Sequence, residues 1–350
     1  MLISFTKELK IKIIATVCLI LILSIITLYS LGSKGKLYLK QLLFFFFGLL
    51  FLLVSKNVYF LFLKNKFFYL IFLLIFILNI IVVFLGVKKA WFDLGFLHFQ
   101  PIEFLKIFFI FILVRNLAYQ EEIKRLDQFL KYLILILIFS FLSYLQNDLG
   151  SFLIFLSIWF FLIFYYLDFR IKIFLVFLIF LFSIIFWFFL AKDYQKERIL
   201  NFLYPERDIF STGYNAFESK ITFSSGGLWG KGFKNAPQSI YGFLPSAPTD
   251  FILAAYVEHF GYVGFLILIF LYVYFWLKLN SLIFFLKDTK EILFLKGFKI
   301  WIFTQFTINT LMNLGLLPIV GVPLPFFSYG GSHILTEIFA LKIILDFCKD

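Results

Sequence analysis

Asp193-Tyr194-Gln195-Lys196-Glu197-Arg198-Ile199-Leu200-Asn201 opens the one long polar stretch of this chain. The stretch runs through Tyr204-Pro205-Glu206-Arg207-Asp208 and the glycines Gly213, Gly226, Gly227, Gly230 and Gly232, and it closes on Leu244-Pro245-Ser246-Ala247-Pro248-Thr249-Asp250-Phe251. On either side the sequence is almost all hydrocarbon. Hydrophobic residues make up 63% of the 350, against about 45–50% in a soluble domain. That excludes an ordinary soluble protein and indicates an all-α polytopic membrane protein, because only helices and closed barrels satisfy their backbone in lipid. The length leaves room for about ten spans of about 20 residues each. Chemistry needs charged and hydrogen-bonding groups, so it is expected in or beside the polar stretch.

Spans are expected at 13–31, 37–54, 67–87, 101–119, 131–146, 149–167, 171–191, 250–277, 299–317 and 325–346. The first is too long for the apolar core of a signal peptide and has no small-residue cleavage site after it, so it reads as a retained helix. With the N-terminus placed in the cytoplasm, the short inside loops and ends carry nineteen Lys and Arg and the short outside loops six. That bias puts both termini in the cytoplasm and residues 192–248 outside, away from ATP. The glycines and prolines of 192–248 argue against one long helix, so a compact external lid with short helical pieces is expected. Residues 1–350 form a single membrane domain around it. The net charge of +12 sits beside apolar runs and reads as topology signal and contact with membrane lipids, not as a nucleic-acid surface. The 57 phenylalanines read as packing and lipid contact. Cys18 and Cys348 lack metal or redox spacing.

Four polar groups stand at membrane depth, where charge is costly and marks candidate function. Trp91-Phe92-Asp93-Leu94-Gly95 precedes Gln100-Pro101-Ile102-Glu103-Phe104-Leu105-Lys106. Pro101 suits a first helical turn, and Glu103 and Lys106, three apart, share a face and can pair. This also reads as a helix start with a surface ion pair. Gln146-Asn147-Asp148-Leu149-Gly150 is a tight turn in which Asp148 either caps the next helix or contacts substrate or metal. Thr249 is a candidate cap, with Asp250 in a first turn favoured by the helix dipole. Glu258 lies roughly 12 Å deeper, so it must line a polar cavity or be paired. Finally, Asn313-Leu314-Gly315 leads to Pro318, Gly321, Pro323, Pro325 and Phe327-Ser328-Tyr329-Gly330-Gly331-Ser332. A backbone broken in this way is tolerated only against protein or a water-filled cavity. A polar cavity near the outside ends of the last two helices follows, although a purely structural re-entrant turn fits equally.

These residues outline an external site with the carboxylates Asp148, Asp250 and Glu258. The loop cations Arg198, Arg207, Lys220 and Lys231 face anionic lipid. A lipid-linked anionic substrate fits, and so does a transporter; composition and spacing do not choose.

The blocks Trp91 to Gly95 with Gln100 to Lys106, Gln146 to Gly150, Gly213-Tyr214, Ser219-Lys220-Ile221, Ser225 to Gly232, Gln238-Ser239, Thr249-Asp250-Phe251 and Pro318 to Ser332 together resemble the SEDS family (shape, elongation, division and sporulation). Within it, Ser219-Lys220-Ile221, Trp229-Gly230-Lys231-Gly232 and Gln238-Ser239 resemble the RodA branch more than the FtsW branch. Two departures stand out. Ser246-Ala247-Pro248 occupies the place of the usual Glu-x-His before Thr-Asp, so neither of those side chains is essential here. Asn147 replaces a usual Pro.

The resemblance implies ten spans, a large extracytoplasmic loop between the seventh and eighth, and a peptidoglycan glycosyltransferase of the bacterial inner membrane. Such an enzyme polymerises lipid II, an undecaprenyl-pyrophosphate-linked disaccharide pentapeptide, during elongation and shape maintenance. It works with a class B penicillin-binding protein transpeptidase and other elongation-complex proteins. The resemblance also implies that Asp250 is the essential carboxylate. Arg198, Lys220 and Lys231 are then candidates for the pyrophosphate, and Asp148, Glu258, Trp91, Glu103, Lys106 and Ser328 for substrate binding. A divalent cation (Mg or Mn) is compatible with the pyrophosphate. Two other readings stand beside this one: a lipid II transporter (flippase), and a non-catalytic scaffold for a transpeptidase.

Overall fold

A computed structural model describes residues 2–32, 36–55, 58, 65–95, 98–204 and 213–347. Arg207, Lys34, Lys56, Lys64, Cys348 and Lys349 lie outside the described residues, as does the side chain of Arg198. The helices are α1 (Leu2–Ser30), α2 (Leu37–Val54), α3 (Asn65–Leu85), α4 (Pro101–Leu117), α5 (Leu126–Leu145), α6 (Leu149–Phe164) and α7 (Phe169–Ile185), the last continued by a π turn, Phe186–Leu190. The polar stretch follows as α8 (Asp193–Leu203), α9 (Tyr214–Ser225) and α10 (Pro237–Ile240), and then come α11 (Ile252–Leu282), α12 (Thr289–Asn313) and α13 (Gly331–Phe347). One small hairpin, β1 (Phe92–Asp93) with β2 (His98–Phe99), precedes α4.

The chain is an all-α polytopic membrane protein. Among the described residues six helices, α1, α2, α3, α5, α7 with its π turn, and α11, are long and apolar enough to cross a membrane. Their outward faces stay apolar, with Phe84, Phe141 and Phe180 exposed, as a lipid solvent requires.

α4 is the axis of the bundle. Its sequence is apolar on nearly every face, which marks a helix buried all round. It touches α3, α6, α12 and α13, and most of its residues from Pro101 to Leu117 are buried. Phe109 of α4 packs its ring against Phe139 of α5 at 4.7 Å and Phe155 of α6 at 5.2 Å. In lipid such van der Waals packing replaces the hydrophobic effect as the force between helices.

Several expected boundaries move. Thr249 does not cap α11; its hydroxyl donates to Ser246 O within a turn, and the helix begins at Ile252 with Phe251 at the cap position. α12 starts at Thr289, ten residues before the expected 299, because Asp288 accepts from Lys290 N and caps it there. The last helix begins at Gly331, not at 325, since Pro323 and Pro325 interrupt the ladder and Glu337 takes the freed Phe326 N–H at 2.7 Å.

The polar stretch is anchored by a break in α11. Gly261 has φ 68 and ψ −173, a conformation that only glycine adopts at low cost. The break frees the carbonyls of Glu258 and His259, which accept Lys231 N at 2.8 Å and Gly232 N at 3.1 Å. In return Tyr262 N donates to Gly227 O and Val263 N to Leu228 O. Backbone approaches backbone so closely that a Cβ on Gly230 would fall 2.2 Å from His259 O. Deeper, Glu258 is fully buried and accepts from Lys231 Nζ at 3.2 Å, Gln238 N at 3.0 Å, and Ser239 N and Oγ at 3.0 and 2.7 Å. Gly230→Ala is therefore expected to destabilise the protein by roughly 2–5 kcal/mol, combining left-handed strain with overpacking. A thermal melt in detergent, with limited proteolysis of the loop, reads this. Gly227→Ala, with open space at its Cβ, should cost less.

Candidate active site

The expected polar cavity is present. It encloses about 870 Å3 between the β1–β2 hairpin, the starts of α4, α6 and α13, the turn before α11 and the broken backbone before α13. Asp250, Asp148, Glu103, Lys106 and Trp91 all line it.

Asp250 sits just outside α11, in a turn whose three consecutive carbonyls are all occupied. Pro248 O accepts Tyr329 N at 2.9 Å, and Thr249 O accepts the Ser328 hydroxyl at 2.6 Å. Asp250 O accepts the amide of Asn309 at 2.9 Å and that of Asn313 at 3.1 Å. Asn313 also accepts Ala254 N, and Asn309 also donates to Val322 O at 2.7 Å. The Asp250 carboxylate faces Gly321, where an added Cβ would lie 3.6 Å from its Oδ2. Ser328 is fully buried, and its Oγ also accepts Leu324 N. It fastens the turn from behind and does not line the cavity wall.

Asp148 caps α6 and also lines the cavity. Its Oδ1 accepts Ser151 N at 2.9 Å, capping α6, while its Oδ2 accepts the Ser151 hydroxyl and the Gln100 amide at 3.0 Å on the cavity wall. Trp91 stands in the wall with its backbone bridged to Val87.

Glu103 and Lys106 pair at 2.6 Å, and the pair is buried, unlike the surface alternative. It belongs to a chain of charge that sequence reading missed. Glu103 Oε2 lies 3.3 Å from His333 Nδ1, and His333 Nε2 lies 3.1 Å from Glu337 Oε1. The Lys106 ammonium also lies 5.6 Å from the Trp301 ring centroid. The available signal was His333 and Glu337, four apart and so on one face of the last helix.

Glu258, Lys231 and Lys220 stand away from this cavity. Glu258 and Lys231 neutralise each other in the loop anchor, because a carboxylate buried that deeply needs a cation and several donors. Lys220 is exposed on α9, with its stem against Gly315. Arg198 lies on α8. The lysines that do line the cavity, besides Lys106, are Lys88 and Lys89. They form a tight turn with both residues at positive φ, 50 and 63. Sequence reading counted them only as loop charges. For a divalent cation, no group of three His, Cys, Asp or Glu converges among the described residues.

The Cell cycle protein family of FtsW, RodA and SpoVE matches residues 6–349. This chain belongs to that family, the SEDS proteins, and is RodA-like within it. The peptidoglycan glycosyltransferase MrdB of Escherichia coli K12 is 35% identical over 259 residues, 72% of this chain and 69% of that protein. The peptidoglycan glycosyltransferase RodA of Treponema pallidum is 36% identical over 156 residues, 45% of this chain and 36% of that protein. Among solved structures, a chain from a study of how a peptidoglycan synthase complex coordinates polymerization and crosslinking superposes with TM-score 0.81, 28% identity and 97% coverage of both chains. The rod shape determining protein RodA of Thermus thermophilus gives TM-score 0.66, 25% identity and coverage of 95% of this chain and 94% of that one.

Removing one partner of a buried ion pair costs about 3–5 kcal/mol, because the other charge is left uncompensated. Lys106→Met should lower stability by about that amount. Adding Glu103→Gln should restore part of it, which a double-mutant cycle of thermal or denaturant unfolding measures.

Proposed function

We propose that this protein is a peptidoglycan glycosyltransferase that polymerises lipid II on the outer face of the bacterial inner membrane during cell elongation. The observation that carries the reading is Asp250: a carboxylate lining a cavity beside lipid, on a turn whose carbonyls are all tied down. In this reading the chain crosses the membrane ten times, both termini are cytoplasmic, and the 192–248 loop is extracytoplasmic. A class B penicillin-binding protein transpeptidase and other elongation proteins are its partners; the similarity to a chain of a peptidoglycan synthase complex supports the first.

The reaction is a single displacement. A sugar hydroxyl of the acceptor attacks the anomeric carbon of the donor, and the new C–O bond forms as the bond to the lipid pyrophosphate breaks. The hydroxyl proton passes to the Asp250 carboxylate, the electron pair leaves with the pyrophosphate oxygen, and α inverts to β. A positioned general base contributes about 10²–10⁴-fold. The departing charge needs fixed cations; Lys88 and Lys89, which line the cavity where Lys220 and Lys231 do not, support that role. Asp148 and Gln100, bonded to each other, offer hydrogen bonds to the sugar, and Trp91 offers a ring face.

Polymerisation of fluorescent lipid II by the purified protein with its transpeptidase tests the reading. Wild type should produce glycan ladders, and Asp250→Asn should lose at least about 10²-fold in rate. Ladders from both would move the base to another group. Movement of lipid II across vesicles without ladders would favour the transporter, and ladders from neither would favour the scaffold. Lys88→Gln with Lys89→Gln should lower kcat/KM about tenfold, equivalent to about 1.4 kcal/mol, with an unchanged melting midpoint.

A further inference from the structure

A second cavity lies at the end of the bundle remote from Asp250. It encloses about 250 Å3 between α6, α11 and α12, and Tyr165, Tyr166, Trp276, Lys296 and Lys299 line it. Two helices fix its separation from the first. α6 gives Gly150 and Ser151 to the catalytic cavity and Phe161 to this one, which at about 1.5 Å per residue are roughly 15 Å apart. α12 runs the same course from Asn313, beside Asp250, back to Ile300 and Lys296.

Its chemistry is cationic and aromatic. Lys296 and Lys299 are three apart on α12 and share a face. Among the described residues neither forms an ion pair with a carboxylate. Lys299 donates to the neutral Asn280 Oδ1 at 2.6 Å, and its ammonium stands 5.9 Å from the Trp276 ring centroid. The Lys296 ammonium stands 5.7 Å from the ring centroid of Tyr165. Two like charges have thus been brought to one hollow without a counter-charge. The rim is apolar, with Phe161 and Tyr165 exposed, as on the lipid-facing surfaces elsewhere in the bundle. An aromatic rim around paired lysines is the composition of a membrane interface, and basic pockets between helices hold anionic headgroups.

We propose that this cavity binds an anionic phospholipid, with Lys296 and Lys299 on its phosphodiester and the Phe161–Tyr165 rim against its acyl chain. A bare phosphate would use the lysines and leave the rim in lipid, so the rim selects the lipid. The site is separate from the glycosyltransferase reading and stands without it.

Native mass spectrometry of the full chain in neutral detergent, titrated with phosphatidylglycerol or phosphatidylcholine, tests the proposal. Wild type should retain phosphatidylglycerol in preference to phosphatidylcholine. Each lysine near the membrane surface is worth about 1 kcal/mol toward anionic lipid, so Lys296→Gln with Lys299→Gln should bind it about thirtyfold more weakly. Lys287→Gln with Lys290→Gln removes equal charge from residues outside the cavity and should change binding by about threefold or less. Where the first double variant fails to fold, Lys296→Gln alone, at an exposed position, should lose about fivefold. Wild-type affinity in the cavity variants would overturn the site. An equal loss in both double variants would show diffuse charge attraction in its place. Displacement of the lipid by inorganic phosphate at equal concentration would assign the hollow to free anions.

Discussion

The tightest constraint on this structure is that the carbonyls of Pro248, Thr249 and Asp250 are tied into protein. α11 begins only at Ile252, and groups from the end of α12 and the segment before α13 take these carbonyls. In a setting poor in water, an unpaired carbonyl costs several kcal/mol. Asn309, Asn313, Ser328 and the Tyr329 amide therefore converge on these carbonyls. That requirement explains two buried asparagines, four apart, in α12 and a serine at the heart of a Gly/Pro-rich segment. It also draws the end of α12 and the start of α13 to the start of α11, and the cavity is the space left between them.

The same economy governs the charges. Glu103, Lys106, His333 and Glu337 are linked into one buried chain across α4 and α13. Glu258 is met by a lysine, a hydroxyl and two backbone amides of the loop. The first chain stands at the cavity floor, where it sets the local field. The second fixes the loop to the broken α11, apart from Lys88 and Lys89, which line the cavity. Residues of similar chemistry thus serve different ends according to where the loop crosses the bundle.

Much of the site was legible beforehand. Glu103 and Lys106 were visible as a pair because helical spacing alone places them together. Asp148 and Asp250 were visible as carboxylates at the edges of apolar runs. Glu258 was correctly expected to be paired or cavity-lining, but its partner Lys231 is 27 residues away and no period connects them. Lys88 and Lys89 were read as loop charge because the tight turn before β1 has no sequence repeat to announce that it borders the cavity. His333 was missed one residue past the motif that ended at Ser332.

What the sequence by itself determined is the class of protein: apolar runs of membrane length, their order, the long polar stretch between them, and the motifs that carry the family resemblance. These depend on local composition, and in lipid local composition nearly dictates helix. Only the tertiary structure decided which polar residues share a space. Lys88 with Lys89, Glu103, Asp148 and Asp250 come from four separate segments, and Ser328 turned from the cavity to the Asp250 turn. Convergence of that kind is settled by helix packing and by the need to pair each buried donor and acceptor, neither of which is written in any one stretch of the chain.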